Sequence, residues 1–419
     1  PYAAAGRYVA FVAAALESEE LYSAGYQANP EAVWRRLRHD HPCFHDTIGN
    51  MYVLTRYADV AAVFADHETY SAATYEGRTG AVLGPTLISR DDHGHVVRRS
   101  IVAPDFVGKR LATYQAVIDD AANALIDEFV DSERVALVQQ FTRRLPVDVI
   151  AAMLGMTGDG DRFRTWVATM IHGLAPEFHE QGRQAHGEFC SHIEPMLRNI
   201  DDPARSDVIA KIARASVEGE RLSEDEIVAF CGLLFIAGGE TTDKAMANMW
   251  WNLLHQPDQY RAVLDDPTLW DAAFSETMRH SAPVTTEDRF TTKDVEWHGV
   301  SIPAGSLLRV SIGAANLDET VFAEPERFDI HRTDLHRGKE LRYGGSTETD
   351  RSGHLGFGLG KHFCIGYELA RLESVTGSRL LVERCGAPVL DPDAPPAELR
   401  LTRSLRAVVP DVALLFPIR

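Results

Sequence analysis

A chain that sets three glycines, a histidine and a cysteine between Gly356 and Cys364, in 355-LGFGLGKHFCIGYELAR-371, must fold its backbone closely around one sulfur. Glycine opens the left-handed region of backbone space and lets main-chain groups approach what they surround. The helical pattern from Ile365 onward offers unpaired N–H groups and a positive dipole end to any charge at its start. Read alone, the stretch also suits a glycine-rich turn that buries a cysteine as a small apolar group. The rest of the chain decides between the two.

The 419 residues are 45% hydrophobic and 25% charged, which is ordinary globular usage. No Ser/Gly/Pro-rich linker and no internal repeat divides them, so one large domain is expected. A net charge of −19 argues against a nucleic-acid binder, which needs clustered Lys and Arg against phosphates. Cys43, Cys190, Cys231, Cys364 and Cys385 are scattered and form no CxxC pair, which excludes a zinc ribbon and disfavours a secreted disulfide scaffold. The apolar run Tyr8 to Leu16 is far short of the roughly 20 residues that span a bilayer, and no basic segment precedes it as in a signal peptide. A soluble, reduced, cytoplasmic protein without membrane or nucleic-acid partners is the expectation.

Apolar residues at i, i+3 and i+4 predict helices over 30–39, 57–65, 95–103, 109–130, 143–154, 161–174, 183–200, 205–215, 223–254, 258–265, 268–281 and 365–384. Strand signals are short: 51–55, then 294–311 turning at Pro303-Ala304-Gly305, and a closing pair near Thr402–Leu405 and Val412–Phe416. The fold class is mainly α with small β-sheets.

The longest helix starts at a capping box, Ser223 with Glu226, and stops before Pro257. Inside it lies 236-IAGGETTD-243. Adjacent glycines in a helix cost about 1 kcal/mol each relative to alanine, so close packing or an open groove is expected there. Thr241 can bond the carbonyl of Ala237 and loosen the ladder. In 274-FSETMRH-280, Glu276 and Arg279 share one helix face, and Arg327 in 322-FAEPERFD-329 is a rigidly held candidate to join them.

Together these elements resemble the cytochrome P-450 superfamily of haem-thiolate monooxygenases. The cysteine loop matches Phe-Gly-x-Gly-x-His-x-Cys-x-Gly as Phe357, Gly358, Gly360, His362, Cys364 and Gly366. The pattern Ala-Gly-x-Glu-Thr is met by Ala237, Gly238, Glu240 and Thr241, and Glu-x-x-Arg by Glu276 and Arg279, with Arg327 as third partner. The resemblance implies a single domain over 29–419 behind an extension, 1–28, enclosing haem b (iron protoporphyrin IX) with the Cys364 thiolate as axial ligand. A thiolate donates electron density that favours O–O cleavage, and the helix start keeps it ionised. Phe357 shields the sulfur, and His362 faces the haem edge. His95, Arg99, Arg289 and His354 meet the haem propionates. Gly239, in the variable slot, suggests an unusually open groove.

The resemblance further implies that Thr241 holds bound dioxygen by a hydrogen bond while Glu240 relays protons. Electrons come from separate proteins, a ferredoxin and its reductase, docking near a local basic patch of Lys361, Arg371, Arg98 and Lys109. The substrate is a hydrophobic small molecule, in keeping with secondary metabolism. Its pocket includes Val82, Leu83, Leu87, Met170, Leu234, Ala237, Gly238, Val284, Thr285 and Leu405, a mostly apolar lining. The polar segment 336–353 is read as a surface loop or part of a docking surface. The competing readings are a P-450-type oxidase that couples, closes rings or uses peroxide, and a non-catalytic haem sensor, which has no need of Glu240 and Thr241.

Overall fold

A computed structural model of the chain describes residues 18–198, 200–336, 352–402 and 405–417. The segment 337–351, most of the polar stretch singled out above, and most of the N-terminal extension lie outside the described residues. Two compact units are present, neither continuous in sequence. The first gathers Pro1–Ala72, Asn248–Cys364 and Pro396–Pro410; the second gathers Ala73–Ala247, Ile365–Pro395 and Asp411–Arg419.

The first unit is built on a five-stranded sheet in the order Cys43–Asp46, Met51–Leu54, Leu307–Ser311, Thr286–Thr291, Tyr70–Ser71. Met51–Leu54 and Leu307–Ser311 run parallel, with Tyr52 opposite Leu308, and the other pairs are antiparallel. Alternation along the strands sends Leu54, Leu308 and Val310 into a core shared with Val60, Val63 and Phe64 of the helix Tyr57–Ala65. The hairpin Val295–Trp297 and Val300–Ile302 turns at His298-Gly299, where both residues have positive φ (50° and 79°). Such a two-residue turn matches strand twist. The expected turn at Pro303-Ala304-Gly305 forms, with the Ser306 N–H donating to the Pro303 carbonyl at 3.2 Å and Gly305 at φ 79°, and it leads from this hairpin into Leu307–Ser311, which joins the larger sheet.

Helices dominate the second unit, among them Leu145–Met153, Gly160–His172, His179–Leu197 and Tyr367–Cys385. Gly160–His172 and His179–Leu197 approach so closely at their junction that a Cβ on Gly173 would lie 2.4 Å from the Gly182 Cα. The small sheet runs Arg134–Ala136, Ala413–Leu415, Val389–Leu390. The expected pairing of Val412–Phe416 with Thr402–Leu405 is therefore not formed. Leu405–Val409 already has a partner, Glu398–Thr402, and Leu414 registers with Val135 and Leu390 instead. The helix Glu224–Leu254 begins as expected: Glu226 Oε2 accepts the Ser223 N–H at 3.0 Å and Ser223 Oγ accepts the Glu226 N–H at 3.2 Å. Among the described residues no helix is long and apolar enough to cross a membrane.

Candidate active site

In the first unit, the loop before Cys364 turns on two left-handed residues, Gly358 (φ 67°) and Gly360 (φ 69°), a conformation in which L side chains are strained. A Cβ on Gly360 would also meet the Phe64 carbonyl oxygen at 2.8 Å. The Cys364 N–H donates to the Phe357 carbonyl at 2.9 Å and the Phe363 N–H to Gly360 at 3.1 Å, closing the loop on itself. Cys364 is half-buried and in no disulfide. Phe357 lies between the rings of Phe274 (6.2 Å) and His354 (5.8 Å), and His362 ends a short 3₁₀ turn. Ile365 and Gly366 form a turn, so the helix begins at Tyr367, two residues later than the pattern suggested.

His354 is buried, and its Nδ1 accepts the Gly356 N–H at 3.3 Å, which leaves the proton on Nε2. Desolvation, with Arg279 nearby, pushes its pKa down to about 3, so it is a neutral donor at physiological pH. Arg289 is buried in Thr286–Thr291, its guanidinium 5.4 Å from the centre of the Phe64 ring.

Glu276 and Arg279 pair as expected, both side chains fully buried. Every N–H of Arg279 is used: Nε and Nη2 on Glu276 (2.8 and 2.7 Å), Nη1 on the carbonyls of Asn316 and Pro325, and Nη2 also on that of Arg327. The third member of the cluster, however, is Arg332. Its Nε lies 3.1 Å from Glu276 and its Nη1 2.7 Å from Asp334. Arg327 offers the cluster only its carbonyl; its side chain is 62% exposed and faces Glu324 and Asp329. Two arginines stand five residues apart in 327-RFDIHR-332, and local sequence does not say which one turns inward.

In the second unit the long helix is buried on most sides but open along Leu234, Ala237, Gly238 and Thr241, which are half-buried or exposed. These positions follow i, i+3, i+4, i+7 and form one stripe. Thr241 Oγ1 donates to the Ala237 carbonyl at 2.6 Å, the back-bond read from the sequence. The glycines answer to packing. A Cβ on Gly238 would sit 2.6 Å from Ile150 Cδ1, and one on Gly239 would sit 3.1 Å from Val167 and 3.2 Å from Val147. Gly239 thus admits neighbouring helices and does not widen the groove.

Glu240 Oε1 lies 2.6 Å from Lys244 Nζ. Asp243, wholly buried, accepts the Thr142 hydroxyl at 2.6 Å, and desolvation raises its pKa from 3.8 to about 6. None of Lys244, Asp243 and Thr142 was picked out from sequence, although an i, i+4 Glu–Lys pair is a legible signal. Because folding raises the Asp243 pKa, its contribution is most favourable below about pH 4 and is lost as pH rises through 6. Asp243→Asn should therefore stabilise the protein progressively between about pH 4 and 6 and then level off, by on the order of 2–3 kcal/mol on the plateau, read as the pH dependence of the difference in Tm. A pH-independent difference would contradict the burial of the charge.

His95 and Arg99 share a face of His93–Val102. His95 is buried, and its Nδ1 bonds the Leu87 carbonyl at 2.9 Å. Arg98 is ion-paired with Glu226, and Arg371 lies 3.1 Å from Glu368. Two of the four cations expected in a basic patch thus spend their charge on carboxylates. Of the pocket candidates, Val284 and Leu405 meet in an antiparallel bridge within the first unit, and Thr285 beside them is buried. In the second unit Leu234, Ala237 and Gly238 lie on the open stripe, and Leu87 is half-buried. Met170 has no exposed surface and Val82 and Leu83 only 3% each. Val82 packs against Gly182 and Leu83 against Gly232. These three are packing residues in this conformation, not lining.

These residues fit a haem. In the first unit, the glycine-built cysteine loop, the neutral donor His354 and buried Arg289 are groups such a cofactor uses.

Comparison with known proteins agrees. The family model "Cytochrome P450" matches residues 160–398. The chain is 32% identical over 365 residues to Cytochrome P450 107B1 of Saccharopolyspora erythraea, covering 83% of this chain and 85% of the relative. It is 32% identical over 380 residues to the Vitamin D(3) 25-hydroxylase of Pseudonocardia autotrophica, covering 88% and 89%. The ligand-free structure of cytochrome P450 TbtJ1 superposes with a TM-score of 0.82 at 29% identity, covering 93% of this chain and 98% of that one. Since the model spans more than half of the sequence and these relatives more than four fifths, the chain belongs to the cytochrome P450 family of haem-thiolate monooxygenases.

Proposed function

We propose that residues 29–419 form a catalytic domain that carries haem b on Cys364 and inserts one oxygen atom into a hydrophobic small molecule: RH + O2 + 2 electrons + 2 protons give ROH + H2O. The observation that carries this reading is the loop turning on Gly358 and Gly360, which fixes the Cys364 backbone on Phe357 at 2.9 Å and keeps the side chain half-buried. When bound, the haem supplies dioxygen binding and oxidising power, with the thiolate favouring O–O cleavage. Phe357 would shield the sulfur from water, and His362 would face the haem edge. With haem bound, His354 would donate through Nε2 to a propionate, and Arg289, His95 and Arg99 would be further propionate partners. Thr241 would leave its bond to Ala237 to donate toward dioxygen, and Glu240 would bring protons from solvent.

The apolar part of the stripe, Leu234, Ala237 and Gly238, supports a hydrophobic substrate, as does the name of the vitamin D(3) hydroxylase relative. A natural product of secondary metabolism, aromatic or terpenoid, fits this lining. A cytoplasmic location suits the acidic, disulfide-free chain, with a ferredoxin and its reductase as donors. The test is spectroscopic. The reduced carbon monoxide complex of the parent should show the strongly red-shifted Soret band of a haem thiolate, and Cys364→Ser should lose it. A histidine-type spectrum, or no bound haem, in the parent would overturn the proposal.

A further inference from the structure

Thr86 is 5% exposed, and its Oγ1 has no hydrogen-bond partner among the described residues. It caps the short 3₁₀ turn Leu87–Ser89 without bonding its hydroxyl to the turn, although Ser89 Oγ donates to the Thr86 carbonyl at 3.1 Å. A hydroxyl buried in this way costs free energy until something completes its bond. Thr86 lines a cleft of the second unit, walled by Pro85, Leu87, Val102, Leu222 and Phe230 and edged by Arg90, Arg98 and Glu226. Measured out to its open mouth the cleft is about 380 Å³, which limits an occupant to a small molecule or one end of a larger one. Both oxygens of Glu226 are taken: Oε1 accepts from Arg98 Nε, and Oε2 accepts the Ser223 N–H at 3.0 Å. Arg90 gives Nε and Nη2 to Asp92. Arg98 gives Glu226 only its Nε, so its two Nη groups keep donors that no described residue accepts.

We propose that this cleft is a second small-molecule site, and that it takes a neutral carbonyl compound: a ketone, ester or amide on an apolar body. A carbonyl oxygen has two lone pairs, one for an Arg98 Nη group and one for the Thr86 hydroxyl. Water alone does not suit the space, because it needs about two to four polar partners and five of the nine lining residues are apolar. An anion is no better placed. Arg90 and Arg98 are each matched by a carboxylate, and Glu226 would face the incoming charge. Of the long helix the cleft touches Glu226 and Phe230 and none of Leu234, Ala237, Gly238 and Thr241, so with the substrate candidates it shares only Leu87. Nothing in its construction calls on haem, so it stands or falls apart from the function proposed above.

The experiment is methyl NMR of the full chain as purified, reduced under carbon monoxide, with Thr, Val and Leu methyl groups labelled. The probe is cyclohexanone. The methyls of Thr86, Val102 and Leu222 should shift together on one saturable curve, whatever Leu234 does on the stripe. Methylenecyclohexane has the shape without the oxygen, and cyclohexanecarboxylate adds a charge; each should bind there at least about fivefold more weakly. Thr86→Val keeps the shape and removes the hydroxyl, while Arg98→Lys keeps a charge for Glu226 and removes the Nη groups. Each should weaken cyclohexanone at least about fivefold. Without probe, Thr86→Val should melt no lower than the parent, since it loses no bond. Unmoved methyls at the three residues overturn the site, as does a smaller advantage of cyclohexanone over either of the other probes. An unchanged curve in either variant does the same, and a lowered Tm in Thr86→Val assigns the hydroxyl to the fold instead. Should a variant fail to fold, the three probes on the parent decide.

Discussion

Replacing Glu276 with alanine is expected to destabilise the protein by about 3–5 kcal/mol, or to prevent its folding, because it strips two buried guanidinium groups of their shared carboxylate. Glu276 receives Arg279 through Nε and Nη2, Arg332 through Nε, and the Asp329 N–H at 2.9 Å. With it gone, neither arginine reaches water. Arg332→Ala should cost a similar order, since it leaves Asp334 without its 2.7 Å partner and opens a hole beside Phe322, whose ring lies 6.0 Å from that guanidinium. Arg327→Ala is the control: its exposed side chain makes only surface contacts, so its effect should stay within about 0.5 kcal/mol. Urea unfolding of the three variants checks the order. An Arg327→Ala variant as damaged as Arg332→Ala would return the third place to Arg327.

Thr241→Ala should leave folding nearly untouched and redirect electrons. Its hydroxyl is bonded to the Ala237 carbonyl, a helix acceptor that keeps its ladder partner when the side chain goes. The stability change should therefore be within about 1 kcal/mol. In the function proposed above, that hydroxyl is the donor on the open stripe. One hydrogen bond there is worth roughly 1–3 kcal/mol, and about 1.4 kcal/mol is a tenfold change in partition. Electrons should still be consumed, but hydrogen peroxide per electron pair should rise severalfold to tenfold as product falls. An unchanged peroxide yield would remove Thr241 from the relay and favour an oxidation that does not depend on it.

What the sequence by itself determined is local. The loop around Cys364 needs glycine where φ is positive, the capping box spans four residues, and Glu276, Arg279 and the Thr241 back-bond obey helix periodicity. Each of these is decided within about one turn of chain, so spacing alone carries it. The tertiary structure decided whatever required a choice between equivalent local options. Arg332 rather than Arg327 turns inward because Glu276, more than fifty residues earlier, waits there. Val412–Phe416 joins Arg134–Ala136 and Val389–Leu390 because its neighbour in sequence is already paired. Gly239 meets Val147 and Val167 and not a groove. Asp243 finds its partner in Thr142, 101 residues away. Burial, not spacing, settles such competitions, because a charge or strand edge without water must find its partner wherever the fold brings one.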